Sequence, residues 1–377
     1  TATTAPNDGL WVIFADEHGV GTELARALAQ RSSVVTVRKS DRYELLSDHE
    51  AMLDPNQFVH FEQLADALSE PVAGVVYLWG LDATEETYQV QVAGALHALQ
   101  WAVACEAPPR IWFVTQGAQA VTENAAVAVW QAPLWGLART VQVEHAGLGC
   151  TCVDIEPEIE DAQAAGLLLD ALGCTDAESQ VVFRAGQRYV ARLCKAFKSE
   201  ISDHNPIRSD GAYLVTGGLG ALGLEVARYL VAAGARHLIL SGRSGAGTTA
   251  QRDAVAELAC DGATVEVVAA DVATPAGCAQ ILAVAGRTLR GVIHAAGILD
   301  DGMLMQQTAE RFRTVASPKV QGAWTLHQQT ADLPLDFFVV FSSVASVLGS
   351  PGQSNYAAAN AFMDALAWYR RASGLPA

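Results

Sequence analysis

Tyr356 and Asn360 stand four residues apart in Tyr356-Ala357-Ala358-Ala359-Asn360, and Phe341-Ser342-Ser343 closes an apolar run thirteen residues before the tyrosine, counted from Ser343. The i, i+4 spacing places Tyr356 and Asn360 on one face of a helix. A phenol and a hydroxyl delivered by neighbouring elements suit carbonyl reduction. Hydride transfer to a ketone leaves a developing alkoxide, and a catalyst must supply a proton and hydrogen-bond donors where that charge forms. Tyr356 and Ser343 can do both.

Such chemistry needs a hydride carrier, and the chain offers a place for one. Thr216-Gly217-Gly218-Leu219-Gly220-Ala221-Leu222-Gly223 lies between the apolar run 212–215 and the helical pattern 224–233. A Gly-x-Gly-x-x-Gly string alone is weak, but a strand before it and a helix after it give it a mechanism: glycines allow close backbone approach to a pyrophosphate, and the helix N-terminus supplies free N–H groups. Eighteen to twenty-one residues past Gly223 the next strand ends in Ser241-Gly242-Arg243-Ser244. Chains that bind NAD usually carry an acid there for the ribose 2′-hydroxyl; a guanidinium instead pairs with a 2′-phosphate, which favours NADPH. Asp271, beyond the strand 264–269, could accept from the adenine amine or cap the next helix.

The elements that must position these groups alternate. Strands are expected at 212–215, 237–240, 264–269, 291–294 and 337–341, and helices at 224–233, 250–260, 309–329 and 356–371. That order implies a doubly wound parallel sheet. The first half echoes it, with strands at 11–15, 34–38, 74–79 and 111–115 and helices at 21–30 and 93–105. Its turn, Asp16-Glu17-His18-Gly19-Val20-Gly21, puts carboxylates where phosphates would sit, so this half is read as a degenerate, nucleotide-free copy. The fold class is therefore α/β, with two Rossmann-like subdomains. We place the structural one at 1–195, a polar linker at 196–210 and the catalytic one at 211–377.

Composition narrows the class. With 377 residues and 51% hydrophobic content the chain can build two buried cores. No apolar run reaches the roughly 18 residues of a membrane span, and no secretion signal opens the sequence, so a cytoplasmic protein is expected. A formal net charge of −17 without any basic run argues against nucleic-acid partners. The seven cysteines form no Cys-x-x-Cys pair, and Cys150 and Cys152 alternate as strand residues do, so packing is expected rather than a metal site. The tryptophans, including Trp101, Trp112 and Trp130, read as core or interdomain fill.

Together the glycine turn, His294-Ala295-Ala296-Gly297, Ser343 and Tyr356 resemble a short-chain dehydrogenase/reductase, and more narrowly the ketoreductase domain of a modular polyketide synthase. Most of the superfamily carries Tyr-x-x-x-Lys with an Asn upstream. Here Asn360 follows the tyrosine and Lys319 lies upstream in Ser317-Pro318-Lys319-Val320-Gln321-Gly322-Ala323, an exchange shared by the synthase ketoreductases. Val75-Val76-Tyr77-Leu78-Trp79 and Leu134-Trp135-Gly136-Leu137-Ala138-Arg139 resemble that family's structural subdomain, extending the likeness over nearly the whole chain.

The resemblance implies a catalytic set of Tyr356, Ser343, Lys319 and Asn360, with Lys319 favouring the phenolate and bonding the nicotinamide ribose, and Asn360 orienting the lysine or a relay water. It implies a cofactor site drawn from Thr216, Gly217, Gly218, Leu219, Gly220, Leu222 and Gly223, from Ser241, Arg243, Ser244, Asp271 and Val272, and from His294, Ala295, Ala296 and Gly297, with His294 packed beside the cofactor. It implies a 3-oxoacyl thioester on an acyl carrier protein as substrate and neighbouring synthase domains as partners. Ile298-Leu299-Asp300-Asp301 carries the Leu-Asp-Asp of the B type, and Leu348 replaces the Trp of the A type. With Gln353, these residues are the expected stereocontrol set, giving the D-configured, 3R alcohol. The family adds a lid helix and further strands after the Tyr356 helix, so the sequence ending at Ala377 is expected to belong to a longer synthase. Two rivals stand beside this reading: a redox-silent scaffold domain and a free-standing alcohol dehydrogenase.

Overall fold

Leu10–Phe14 is an unbroken apolar run with every residue buried. A strand covered on both faces has no polar side to show, which is the mark of a parallel sheet flanked by helices. A computed structural model describes residues 9–122, 125–174, 176–195 and 206–377. Most of the linker read from the sequence, 196–205, lies outside the described residues. In chain order the elements are β1 (Leu10–Phe14), α1 (Val20–Leu28), β2 (Ser33–Lys39), β3 (Glu44–Ser47), β4 (Glu50–Leu53), α2 (Phe58–Ala67), β5 (Val72–Tyr77), α3 (Tyr88–Ala104), β6 (Arg110–Gln116), α4 (Pro133–Glu144), β7 (Cys150–Ile155), α5 (Asp161–Leu172), β8 (Gln180–Arg184) and β9 (Gln187–Val190). There follow β10 (Ala212–Thr216), α6 (Ala221–Ala232), β11 (His237–Gly242), α7 (Thr249–Cys260), β12 (Thr264–Ala269), α8 (Pro275–Ala285), β13 (Leu289–His294), α9 (Ala309–Ala316), α10 (Gly322–Thr330), β14 (Phe337–Val340), α11 (Ala345–Leu348) and α12 (Ser354–Ala372).

The chain divides into two compact units, one holding the residues up to Arg192 with 300–313 and 343–365, the other holding 193–299, 314–342 and 366–377. The first unit has a nine-stranded sheet in the order β3-β4-β2-β1-β5-β6-β7-β8-β9. Its ladders are parallel except for an antiparallel pair at each edge. On one face Trp11 and Trp112 pack at a tilt with ring centroids 5.4 Å apart; on the other Phe14 meets Trp79 edge-on at 5.0 Å. Helix α4 starts with Pro133 at its first turn, where a missing N–H costs nothing.

The second unit has a wholly parallel five-stranded sheet, β12-β11-β10-β13-β14. The order reverses between β10 and β13, and such a switch point opens a crevice at the carboxyl ends of the strands. The helices are locally signed: Thr248 and Gln251 form a reciprocal capping box on α7, and the Thr274 hydroxyl accepts from Gly277 at the start of α8.

Two α/β subdomains of the Rossmann kind are thus present, and the first is degenerate for a definite reason. Asp16 turns its buried carboxylate into its own turn, accepting from the backbone N–H groups of His18, Gly19, Val20 and Gly21 at 3.1, 2.8, 3.3 and 2.6 Å. An internal anion fills the cradle that a phosphate would use. One expectation needs correction. The helix read over 309–329 is not continuous: Ser317–Gln321 is a π-helical segment between α9 and α10. Pro318 has no N–H for the ladder and its ring crowds the carbonyl four residues back, so the regular α pattern breaks there.

Candidate active site

The carboxyl ends of four strands of the second unit enclose a cavity of about 140 Å³ lined by Gly217, Ser241, Gly242, Arg243, Ala270, Asp271, Val272, Ala296, Gly297, Ile298, Ser317 and Pro318. The turn that forms its floor leaves β10 through Gly217, whose φ of +66° is a conformation that favours glycine. A Cβ at Gly217 would meet the Ala295 carbonyl oxygen at 2.8 Å, so the turn and the β13 end lie backbone to backbone. Gly218 N–H is held by Ser241 O at 3.1 Å. Gly220 caps α6 without a side-chain acceptor, and among the described residues no side chain accepts from the N–H groups of Leu219, Ala221, Leu222 or Gly223. That is the opposite of the Asp16 turn. A helix N-terminus with its donors open, following a turn whose Gly217 lines the cavity, fits a pyrophosphate.

Arg243 fits the rest of a phosphorylated dinucleotide. It lines the cavity, is exposed, and its guanidinium pairs with none of the described residues. Asp271 is the one carboxylate on the wall, and its Oδ1 accepts from Ala273 N–H at 3.0 Å. Thr274 rather than Asp271 caps the next helix.

Of the residues expected at the cofactor, Gly217, Ser241, Arg243, Asp271, Val272, Ala296 and Gly297 line this cavity. Gly218, Gly220 and Gly223 shape the turn; a Cβ on Gly223 would collide with the Gly217 carbonyl. Leu219 packs into the core between the sheet and α6, while Leu222 points out with about half its surface exposed and Ser244 is exposed. Ala295 pairs its N–H with Thr216 O at 3.0 Å.

Thr216 and His294 are wholly buried and bonded to each other. His294 Nδ1 lies 2.7 Å from Thr216 Oγ1, and Nε2 lies 2.9 Å from the Pro318 carbonyl. Burial and the nearby Lys319 ammonium push His294 down to about 3, against the opposing pull of the Pro318 carbonyl. The imidazole is therefore neutral, donating from Nε2 to Pro318 and accepting at Nδ1 from Thr216. It fastens the π-helical segment to the end of β10.

That segment carries Lys319, which is buried, with Nζ donating to the Phe341 carbonyl at 3.2 Å. Its stem runs beside Gly297, where a Cβ would sit 3.1 Å from Lys319 Cε. A buried ammonium thus stands behind the cavity wall formed by Gly297 and Pro318.

The first unit holds the other expected catalytic residues. Ser343 lies two residues before α11, and its Oγ accepts from Ala345 N–H at 3.2 Å. Tyr356, partly exposed, lies in the first turn of α12, whose N-terminus is flanked by Asn355 Oδ1 accepting from Tyr356 N–H at 2.7 Å. Asn360 is buried and donates from Nδ2 back to Tyr356 O at 2.7 Å, confirming the shared helix face. The segment around Asp300 is bound to the same helix start: Asn355 Nδ2 donates to Asp300 O at 2.8 Å and Gln353 Nε2 to Asp301 Oδ2 at 3.1 Å. Arg311 grips Asp300 Oδ1 with two nitrogens at 2.7 and 2.9 Å. Leu348, also of this unit, is about half exposed, as is Leu299 in the second.

Sequence reading missed the supports. Arg139 Nη1 donates to Ser346 O at 2.6 Å, and Gln100 Nε2 donates to Leu304 O at 2.9 Å and Gln307 O at 3.0 Å. These groups sit on α3 and α4, about 200 residues from their partners, and nothing in local spacing signals such pairs.

Known proteins match along the whole chain. A family model described as "KR domain" covers residues 211–377, and one described as "Polyketide synthase extender module SpnB, Rossmann fold domain" covers 16–193. The solved structure of the first ketoreductase of the tylosin PKS is 32% identical with a TM-score of 0.83, the match covering 99% of this chain and 79% of that one. A structure of A-type ketoreductases from a modular polyketide synthase is 28% identical, with a TM-score of 0.83 and coverage of 100% and 79%. Among curated relatives, a phenolphthiocerol/phthiocerol polyketide synthase of Mycobacterium tuberculosis (strain CDC 1551 / Oshkosh) is 34% identical over 98% of this chain and 21% of its own length. Polyketide synthase GfsB of Streptomyces halstedii is 45% identical over 71% of this chain and 5% of its own length. The chain thus spans about a fifth or less of these curated relatives.

Proposed function

This chain belongs to the ketoreductase domains of modular polyketide synthases, and from that premise we propose that it uses NADPH to reduce a 3-oxoacyl thioester, presented on an acyl carrier protein, to the 3R-hydroxyacyl thioester. Ketoreductase domains are oxidoreductases that bind a nicotinamide cofactor. The observation that supports the choice of NADPH is that Arg243, unpaired among the described residues, lines the same cavity as Gly217, from which the turn leads to an α6 N-terminus with no side-chain cap. The helix N-terminus takes the pyrophosphate and Arg243 a 2′-phosphate.

When bound, the cofactor supplies the hydride. The chain supplies the rest. Gly217 to Gly223 receive the pyrophosphate, Arg243 the 2′-phosphate, and Lys319 the nicotinamide ribose. The Ser343 hydroxyl donates to the ketone oxygen, and the Tyr356 phenol gives up its proton as the alkoxide forms. Asn360 braces the first turns of α12 through the Tyr356 carbonyl. In this reading 1–195 is the structural part and 211–377 the catalytic part, joined by 196–210, and the Leu299-Asp300-Asp301 segment with Leu348 and Gln353 selects the face of the ketone. Its Leu-Asp-Asp string supports a B-type assignment and the 3R product.

The test is product configuration. The full-length polypeptide, given NADPH and an unbranched 3-oxoacyl thioester surrogate, should yield mainly the 3R alcohol on chiral chromatography. Mainly 3S product would overturn the stereochemical assignment, and reduction supported equally by NADH would overturn the cofactor assignment.

A further inference from the structure

One buried acid of the first unit has no part in the chemistry above. Glu144 closes α4 with its side chain wholly out of solvent. Its carboxylate accepts from two backbone N–H groups far apart in sequence: Leu304 to Oε2 at 2.9 Å, and Gly352 to Oε1 at 2.7 Å. The His145 imidazole lies 4.0 Å from Oε2. An acid taken out of water is costly unless its oxygens are satisfied, and charge-assisted bonds of this kind are stronger than neutral ones. The arrangement is specific.

What it joins gives it meaning. Leu304 follows Asp300-Asp301, and Gly352 precedes Gln353 in the turn that leads to Tyr356. The two segments also meet directly, with Gly302 N–H donating to Gly352 O at 2.8 Å, beside the Gln353 to Asp301 bond at 3.1 Å. Glu144 is the point behind them to which both backbones are tied. The helix that carries it is itself seated on the same stretch, since a Cβ at Gly136 would collide with the Ala357 carbonyl.

We propose that Glu144 is a positioning residue of the reductase, which touches no substrate but locks the Asp300 to Leu304 segment and the turn before Tyr356 in one register and thereby fixes the face from which the ketone is reduced. The inference rests on the reductase reading above. Glu144→Gln keeps the shape but turns an amide NH2 toward one of the two N–H donors, so one tie is lost, and because Gly302 N–H also bonds Gly352 O the loosening passes to both segments.

The experiment compares wild type, Glu144→Gln and the milder Glu144→Asp in the full-length polypeptide. It reads NADPH Kd by fluorescence, KM and kcat for a 3-oxoacyl thioester surrogate, the ratio of the two alcohols, and amide exchange over 300–307 and 349–353. We expect exchange to rise in both segments together, thioester KM to rise about tenfold for Glu144→Gln on loss of one charge-assisted bond, the minor alcohol to increase, and NADPH Kd to stay within about twofold. The Asp variant should move the same readouts in the same direction by less. Unchanged KM and product ratio, or exchange rising in one segment alone, would overturn the proposal with the enzyme otherwise active. A wild-type chain that reduces no ketone would instead remove the reductase reading, and this inference with it.

Discussion

His294 gives the second unit an acid-sensitive joint whose size follows from its surroundings. It is fully enclosed, bonded on both nitrogens, and falls from 6.5 to about 3 on burial. A group whose folded value is depressed takes up its proton more readily when the structure opens, so its stabilising contribution is complete above pH 6.5 and is withdrawn as pH falls toward 3. Between pH 7 and pH 5 that linkage removes about 2 kcal/mol, and about 5 kcal/mol at its limit. His294→Asn should first cost about 1 to 3 kcal/mol at neutral pH, because the Pro318 carbonyl or the Thr216 hydroxyl loses its partner. Its stability should then fall less steeply with acid than wild type, by about 2 kcal/mol over the same interval. The two units need not open together, so the assay must be local: hydrogen exchange of the β10 and β13 peptides, corrected for intrinsic rates. His327, pushed to about 4 by burial and the Arg370 charge, titrates in the same window and cancels because it is present in both proteins. Equal acid slopes for variant and wild type would refute a neutral, doubly bonded His294.

Three further outcomes follow from the site and its degenerate counterpart. Tyr356→Phe should lower kcat by at least about 10²-fold while leaving NADPH binding intact, measured by stopped-flow turnover and cofactor fluorescence; retained turnover would place the acid elsewhere. Arg243→Ala should weaken NADPH binding by about 1.5 to 3 kcal/mol and leave NADH binding nearly unchanged; equal losses for both cofactors would reject its role. Asp16→Ala should destabilise the first unit by about 1.5 to 3 kcal/mol, read as faster exchange of α1, because four N–H groups lose one shared acceptor; unchanged exchange there would reject the internal-anion account.

The parts of the fold that sequence exposed were those whose signal is local. β10 and α6 frame the glycine turn with an apolar run on one side and a helical period on the other, and β1, β5 and β6 declare themselves as buried strands. α8 went unread because Pro275 to Ala285 is apolar almost throughout, so no period stands out. The edge pairs β3–β4 and β8–β9 are strands of only four or five residues, too short for a period to stand out in the sequence. At the site, residue types and spacing marked Tyr356, Ser343 and Arg243, and family likeness was needed for Lys319. The break that aims Lys319 could have been suspected from Pro318 within a helical stretch. Glu144, Gln100 and Arg139 could not, since their partners lie about 160 to 207 residues away and only tertiary packing brings them together.

In the proposed reaction, hydride would pass from NADPH to the C3 carbonyl of an acyl thioester within this polypeptide. Isotope transfer addresses it directly: NADPH deuterated at the transferable C4 position, a 3-oxoacyl thioester surrogate, and mass analysis of the product from wild type and Tyr356→Phe. Wild type should give one deuterium at C3 of the hydroxyacyl product, and the variant should form nearly none. Unreacted cofactor and ketone with well-folded wild-type protein would contradict the proposed reaction and favour the scaffold reading.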